Sequence, residues 1–383
     1  MRKYFTPKFG KMFVLLACAI LSSVSARSQV APDYKHPIEQ SRKIVAETMT
    51  KLKIPGMSVA VAVNGKIVWS EGFGFADLEN HVRVSTATRF RIASISKPIT
   101  AVAMARAYEQ GKLDLDVPIQ KYVPNFPRKE HEITARQLAG HLSGIRHYRR
   151  SPDEEKDDFY NRKKYYKNIS EALKIFQDDP LDFTPGTKFG YSSYGYTLLS
   201  AAIENASGQD FFTYVQKEIF DPLHMPSTSA DDNRKIIPDR TRFYSLDENK
   251  NVINAQYIDG SDTWAGGGFL SNPEDLTRFG SAHLKPGFLK GSTLREIFTS
   301  QKTSDGKETG TGLGWRTGKD KEGRTFYFHP GENVGGRSYL VVYPDTGVVV
   351  AALHNITGVS LGSAADITKL FVAAVEQRTS GKR

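Results

Sequence analysis

A hydroxyl and an amine stand three residues apart in Ser94-Ile95-Ser96-Lys97. Pro98 follows, then the apolar run Ile99-Thr100-Ala101-Val102-Ala103-Met104-Ala105. This pattern predicts a helix start, because Pro is tolerated in a first turn, where the N–H it lacks has no partner. Residues three apart on a helix share a face, so both side chains project together. A helix N-terminus also holds unpaired backbone N–H groups and the positive end of the dipole. Such a place stabilises an attacking alkoxide and the oxyanion it generates from a carbonyl. A lysine one turn away can take the serine proton once desolvation or nearby cations lower its pKa. The second Ser-x-x-Lys, Ser304-Asp305-Gly306-Lys307, lies in a polar Gly- and Thr-rich stretch with no helix behind it and reads as a loop.

Two other stretches carry reactive types. Tyr191 stands where the turn Thr184-Pro185-Gly186 leads through Phe189-Gly190 into a helix near Tyr194. A phenol at that junction can enter a cleft and shuttle a proton to a leaving group beside a lysine. The alternative is a packing tyrosine. His329-Pro330-Gly331-Glu332 ends one strand, and its small residues permit close approach of a ligand to the backbone. His329 can donate to a substrate carboxylate or to the reacting group; the alternative is a strand-end histidine satisfied by solvent. The Gly-rich loop Asp262 to Ser271 lacks the Lys-Ser/Thr of a phosphate loop. No HExxH or histidine cluster suggests zinc, so neither cofactor nor metal is expected.

The elements that must position these residues are legible from periodicity and turn chemistry. Pro37 to Lys53 has helical spacing of Ile44, Val45, Met49 and Leu52. Met57 to Val63, then Asn64-Gly65, then Lys66 to Trp69 predicts a hairpin with a type I′ turn. Helices are expected over Ser94 to Gln110, Ala135 to His141, Ser170 to Gln177, Tyr194 to Ala206, Asp210 to Phe220, Pro273 to Leu284 and Ser363 to Val375. Strands are expected at Thr325 to His329, Tyr339 to Tyr343 and Val348 to His354. Arg146 to Lys167 is densely charged and aromatic, and reads as a solvated helical excursion or flexible rim, with a partner-binding lid as the alternative. The fold class that results is α+β. An antiparallel sheet forms from N- and C-terminal strands flanked by helices, with a mostly helical lobe inserted over roughly 112–310. A cleft between the two lobes is the natural site.

Length and charge bound the rest. The chain has 383 residues, enough for one large domain or two intimate ones. Part of its formal charge of +10 belongs to Arg2, Lys3, Lys8 and Lys11, and the remaining surplus is spread along the chain, which argues against nucleic acid as a partner. Those four residues precede an apolar run, Met12 to Leu21, and the small residues Val24-Ser25-Ala26. This predicts a signal peptide over 1–26 cleaved near Ala26, a hydrolase domain over 27–383, and an exported, periplasmic or extracellular protein. The apolar run is too short for a stable membrane span. The single cysteine, Cys18, lies inside it, and lipidation there is the alternative; cleavage at Ala26 would leave no cysteine.

With the three reactive elements in this order, the chain resembles the serine β-lactamase and penicillin-binding-protein superfamily, whose Ser-x-x-Lys signature is well known. The likeness is nearest to class C β-lactamases, D-alanyl-D-alanine carboxypeptidases and related esterases. It covers Ile54 to the C-terminus. It rests also on Ile54-Pro55-Gly56-Met57, Thr134-Ala135-Arg136-Gln137-Leu138, His141-Leu142-Ser143-Gly144, Phe220-Asp221-Pro222-Leu223, Gly267-Gly268-Phe269-Leu270 and Gly312-Leu313-Gly314-Trp315. The resemblance implies Ser94 as acylated nucleophile, Lys97 as base or proton relay, and Tyr191 as the tyrosine of a Tyr-x-Asn element. It places His329-Pro330-Gly331 at the family's Lys-Thr-Gly strand, and the backbone N–H groups of Ser94 and Glu332 in an oxyanion hole. Ser193 stands where Asn is usual, and Pro330 where a Thr hydroxyl is usual. Ser193, His329, Gly331 and Glu332 are the expected substrate-binding residues. A small peptide, ester or β-lactam is the expected substrate, with peptidase or D-amino-acid carboxypeptidase-like activity first. Esterase, weak β-lactamase and a non-catalytic penicillin-binding or scaffold role are the alternatives.

Overall fold

The computed structural model describes residues 34–151 and 156–380. The expected signal peptide 1–26, its cleavage point and Cys18 lie outside those residues. The described chain opens with α1 (Lys35–Leu52), β1 (Gly56–Val63), β2 (Lys66–Asp77), β3 (Val82–Arg83) and β4 (Phe90–Arg91). Next come α2 (Ser96–Glu109), α3 (Ala135–Ala139), α4 (Ile169–Leu173), α5 (Tyr194–Ser207) and α6 (Phe211–Val215). Short strands and helices follow: β5 (Ser229–Ala230), β6 (Tyr244–Leu246), β7 (Val252–Asn254), α7 (Trp264–Gly267), β8 (Phe269–Ser271), α8 (Pro273–Ser281) and α9 (Gly291–Phe298). Then come β9 (Arg316–Lys319), β10 (Thr325–Asn333), β11 (Gly336–Tyr343), β12 (Val348–His354) and α10 (Ser363–Ser380).

The mixed fold expected from the sequence is the one found. Seven strands form one antiparallel sheet in the order β3-β2-β1-β12-β11-β10-β9. The first and last strand groups join where β1 pairs with β12, from Met57 opposite His354 to Val63 opposite Val348. The β1–β2 hairpin turns at Asn64 (φ 49°) and Gly65 (φ 79°), both in the left-handed region that a type I′ turn requires. Strand β12 reads as a continuous apolar run because both faces are covered. Val348, Val350 and Ala352 face α1 and α10; Val349, Ala351 and Leu353 face the helical side. On the first face Trp69 stacks on Phe371 at 6.1 Å.

Helix α2 is buried nearly all round, from Ser96 to Ala107, as a helix apolar on every side must be. Two expectations are corrected by the structure. Ser94 does not lie in the first turn of α2. It sits in a separate 3₁₀ turn, Ala93–Ile95, because Ala93 adopts φ +48° and breaks the path from β4 into the helix. The stretch from Arg146 to Lys167 forms no regular helix among its described residues and is not simply solvated: Arg146, Asp157 and Arg162 are buried. Arg146 reaches Asp158 at 3.0 Å, and Arg162 donates to the Phe159 carbonyl at 3.2 Å. Buried guanidiniums need such partners, and pairs of Arg146 with Asp179 and of Arg162 with Asp262 bind the segment to the body. Among the described residues no helix is long and apolar enough to cross a membrane.

Candidate active site

A cleft of about 550 Å³ opens between the sheet edge and the helical lobe. Ser94, Tyr191 and Ser193 lie in its floor; Gly331 and Glu332 of β10 form one wall, and Tyr148, Phe159 and Arg162 of the irregular segment form the other. Lys97 is fully buried behind Ser94. Its Nζ lies 3.3 Å from Ser94 Oγ, 3.0 Å from Ser193 Oγ and 2.5 Å from the Gly266 carbonyl, and sits 4.7 Å above the Tyr191 ring. Burial, followed by the charges of Arg316 and Arg162, pushes the Lys97 pKa well below the ordinary lysine value.

Tyr191 joins Ser94 in the lining of the cleft. Burial raises its phenol pKa against the pull of the Ser94 hydroxyl and of Arg316. The amine and the phenol on either side of one serine are thus driven in opposite directions. That division suits the amine to accept a proton and the phenol to carry one.

Two histidines place the turn that holds Tyr191 and Ser193. The Ser192 N–H donates to His141 Nδ1 at 3.1 Å and the Ser193 N–H to His147 Nδ1 at 3.2 Å. Each Nδ1 is therefore an acceptor, which makes both rings neutral with the proton on Nε2. Burial, then Lys97, lowers both pKa values, that of His147 to about 3. The Tyr191 ring lies 4.4 Å from His141 and 5.3 Å from His147. Neither histidine was singled out as functional from the sequence. The His141-Leu142-Ser143-Gly144 text was the available signal for one of them, and nothing local pointed to the other.

His329 is 2% exposed and is absent from the cleft lining. Its Nδ1 donates to the Pro330 carbonyl at 2.6 Å, and burial, then Lys97, lowers its pKa to about 3. The cleft meets Pro330, Gly331 and Glu332 instead. At Gly331 a Cβ would lie 2.3 Å from the Ile92 carbonyl and 2.2 Å from Ser338 Oγ, so only glycine lets β10 lie against the Ser94 turn. Ser338 in turn donates to the Ile92 carbonyl at 2.6 Å.

Four arginines line the cleft: Arg150, Arg162, Arg316 and Arg337. Arg150 pairs with Asp157 at 3.0 Å, Arg337 with Glu332 at 3.2 Å, and Arg162 with Asp262 at 3.7 Å. Among the described residues Arg316 has no carboxylate partner; its guanidinium lies 5.9 Å from the Tyr191 ring. The Ser304 to Lys307 copy of the motif forms a turn closed by Thr303 N–H to the Lys307 carbonyl at 3.0 Å, remote from any helix start.

The family model described as Beta-lactamase matches residues 42–374. "Serine beta-lactamase-like protein LACTB, mitochondrial" of Homo sapiens is 35% identical over 433 aligned residues, which cover 87% of this chain and 79% of that protein. A penicillin-binding protein homologue from Pyrococcus abyssi, described as octameric, superposes with a TM-score of 0.75 at 23% identity, over 89% of this chain and 77% of that one. A D-stereospecific amidohydrolase from Streptomyces sp. does so with a TM-score of 0.73 at 25% identity, over 86% and 97%. The expectation of an exported, periplasmic or extracellular protein is overturned here, because the human relative and its Mus musculus and Bos taurus counterparts, 34–35% identical, are mitochondrial proteins.

Proposed function

Because the chain belongs to the beta-lactamase family, we propose that it is a serine hydrolase that cleaves a carboxylic amide or ester through an acyl-enzyme on Ser94. The observation that carries this reading is the convergence of a buried, neutral-leaning amine on the Ser94 hydroxyl, with Tyr191 on the other side. Lys97 takes the Ser94 proton as Oγ attacks the carbonyl. Tyr191 passes a proton to the departing nitrogen or oxygen. Backbone N–H groups of Ser94 and Glu332, assigned by resemblance, hold the oxyanion. Water then releases the acyl group by the same path in reverse.

A peptidase of short or D-amino-acid peptides, carboxypeptidase-like, is the favoured activity. The D-stereospecific amidohydrolase among its structural relatives supports that choice. So does Arg316, a cleft cation without a carboxylate of its own among the described residues and placed to receive the carboxylate of a substrate. Ser193 in place of asparagine removes an amide that would grip an acylamido group, which sets β-lactams behind peptides and esters.

The test is covalent labelling with a fluorophosphonate probe, together with turnover of a panel of D-peptides, L-peptides, short esters and a chromogenic cephalosporin. Wild-type protein should label at Ser94, and Ser94→Ala should abolish both labelling and turnover. Undiminished labelling in Ser94→Ala would overturn the assignment, and a burst of labelling without turnover would favour a binding protein over an enzyme.

A further inference from the structure

His147 uses one of its two ring nitrogens to hold the Ser193 turn, and the other is left over. The Ser193 N–H donates to Nδ1 at 3.2 Å. A backbone N–H only donates, so Nδ1 carries a lone pair and the ring proton sits on Nε2. Nε2 has no hydrogen-bond partner among the described residues, and it is not one of the partnerless polar atoms sealed from solvent.

Position decides what that donor meets. His147 lines the cleft together with Ser94, Tyr191 and Ser193. A smaller hollow along Arg149 and Asp182 also borders the residue. The imidazole is held on the cleft side, between the Tyr148 ring at 4.4 Å and the Tyr191 ring at 5.3 Å; Tyr191 lines the cleft and not that hollow. Below it, the Ser193 and Ser94 hydroxyls share the Lys97 amine, at 3.0 and 3.3 Å. The spare N–H thus lies beside the acylation site.

Its chemistry selects its ligand. An imidazole N–H seeks a carbonyl or carboxylate oxygen. Burial, then Lys97, lowers the ring's pKa to about 3, so it stays a neutral donor near pH 7. A substrate carboxylate is drawn instead to the Arg316 cation, which leaves His147 an uncharged carbonyl. A simple ester has one carbonyl, and acylation consumes it. A peptide or an N-acylated amino acid has a second, on the acyl side of the bond that breaks. Asparagine at position 193 would offer that group a donor and an acceptor together; His147 offers a donor alone.

We infer that His147 Nε2–H is a specificity-determining donor that binds the substrate carbonyl next to the scissile one, selecting peptides and N-acylated amino acids over simple esters. The inference rests on the hydrolase reading for its catalytic meaning and narrows the substrate class. His147 lies at the start of the irregular segment Arg146 to Lys167, which thereby takes part in recognition.

Two substitutions separate the two nitrogens. In His147→Asn the short amide reaches the place of Nδ1 and keeps an acceptor for the Ser193 N–H, but nothing reaches the place of Nε2. In His147→Gln the longer amide restores a donor near Nε2 and leaves the Ser193 N–H unpaired. The probes are activated thioesters of N-acetyl-D-alanine and of 2-methylpropanoic acid, which share a leaving group and differ only in the acylamido group. Any loss common to both cancels in the ratio of their kcat/KM values. That ratio should fall about tenfold in His147→Asn, the worth of one hydrogen bond, and recover in His147→Gln. A ratio that falls alike in both variants marks a role confined to the Ser193 turn and overturns the inference, as does an unchanged ratio in His147→Asn.

A measurement on the unmutated protein stands beside the kinetics. The ring nitrogens of ¹⁵N-histidine-labelled protein, assigned by their loss in the His147 variants, should show Nε2 protonated and Nδ1 bare. N-acetyl-D-alanine should move the Nε2 resonance downfield, and 2-methylpropanoate should not. A proton on Nδ1, or the same response to both acids, overturns the inference even where a variant fails to fold. If the wild type neither labels at Ser94 nor turns over either thioester, the hydrolase reading fails instead, and the nitrogen response alone decides whether His147 binds the carbonyl.

Discussion

Lysine at position 97 is proposed to work as a neutral amine, which separates it from arginine. A guanidinium cannot be deprotonated in a protein and presents only donors. If Lys97 served only as a buried cation, Lys97→Arg would keep much of the activity. As a base it would not, so Lys97→Arg and Lys97→Met are both expected to lower kcat/KM by about 10²–10⁴-fold. Comparing the two variants on one activated ester decides the matter; substantial activity in Lys97→Arg would discard the base. The wild-type kcat/KM should decline on the acid side as the amine protonates, at a pH well below the ordinary lysine range, because burial, Arg316 and Arg162 all disfavour its charge. Ser94, Lys97 and Tyr191 could be read from the sequence because serine and lysine are local neighbours and the tyrosine lies in a recognisable turn. Their surroundings could not. Lys97 reaches Ser193 and Gly266 across long sequence separations, at 3.0 and 2.5 Å, and no local spacing encodes that Asp262 and Tyr148 meet at Thr263.

Two elements bring those residues together, and each depends on a close backbone approach. The Ser94 turn begins with Ala93 at φ +48°, a conformation that costs a residue with a Cβ something to hold. It is held from outside: Ile92 N–H donates to the Phe269 carbonyl at 3.1 Å, and Ser338 Oγ grips the Ile92 carbonyl. Strand β10 lies directly against this turn at Gly331. A methyl group there would force β10 away from Ile92, so Gly331→Ala should lower stability by about 1–3 kcal/mol, as overpacking does, and reduce turnover more than tenfold. Denaturant unfolding and ester kinetics on the same preparation check both; full activity would show that β10 need not touch the turn. Elements with strong local signals are the ones the sequence announces. The Asn64-Gly65 hairpin is one, and the Thr134 capping box is another, where the Gln137 N–H donates to Thr134 Oγ1 and the Gln137 side chain returns to the Thr134 N–H. The segment from Arg146 to Lys167 gives no such signal. Its order comes from the ion pairs of Arg146 with Asp179 and of Arg162 with Asp262 and from the Arg162 hydrogen bond to Asn333, partners that lie elsewhere in the chain.

At the scale of the whole molecule, the sheet joins strands from both ends of the chain, and neutral histidines are buried on both of its faces. His141, His147, His283, His329 and His354 are all held below the ordinary imidazole pKa, and in each the first cause is burial. The values for His147 and His329 fall to about 3, and those for His283 and His354 to about 4. The unfolded chain binds protons at these positions near pH 6.5 and the folded chain does not. Stability is therefore full above pH 6.5 and is lost as pH falls from there toward 4 and 3. Each fully neutral histidine forfeits about 2 kcal/mol between pH 7 and pH 5. Asp262 opposes the trend, since burial raises its pKa to about 6 and its folded form takes up a proton that the unfolded chain does not yet hold. Glu204 and Asp275 are raised as well, chiefly by burial, but these three carboxyls do not offset five imidazoles, so the melting temperature should drop from pH 7 to pH 5. Calorimetry across that range tests it, and His283→Gln should flatten the curve without touching the cleft, because His283 packs between Phe279 and Trp315, away from Ser94. A melting temperature that stays level from pH 7 to pH 5 would mean that these rings find proton acceptors when the protein acidifies, which would also undo the assignment of His141 and His147 as the neutral acceptors that set the Tyr191 turn.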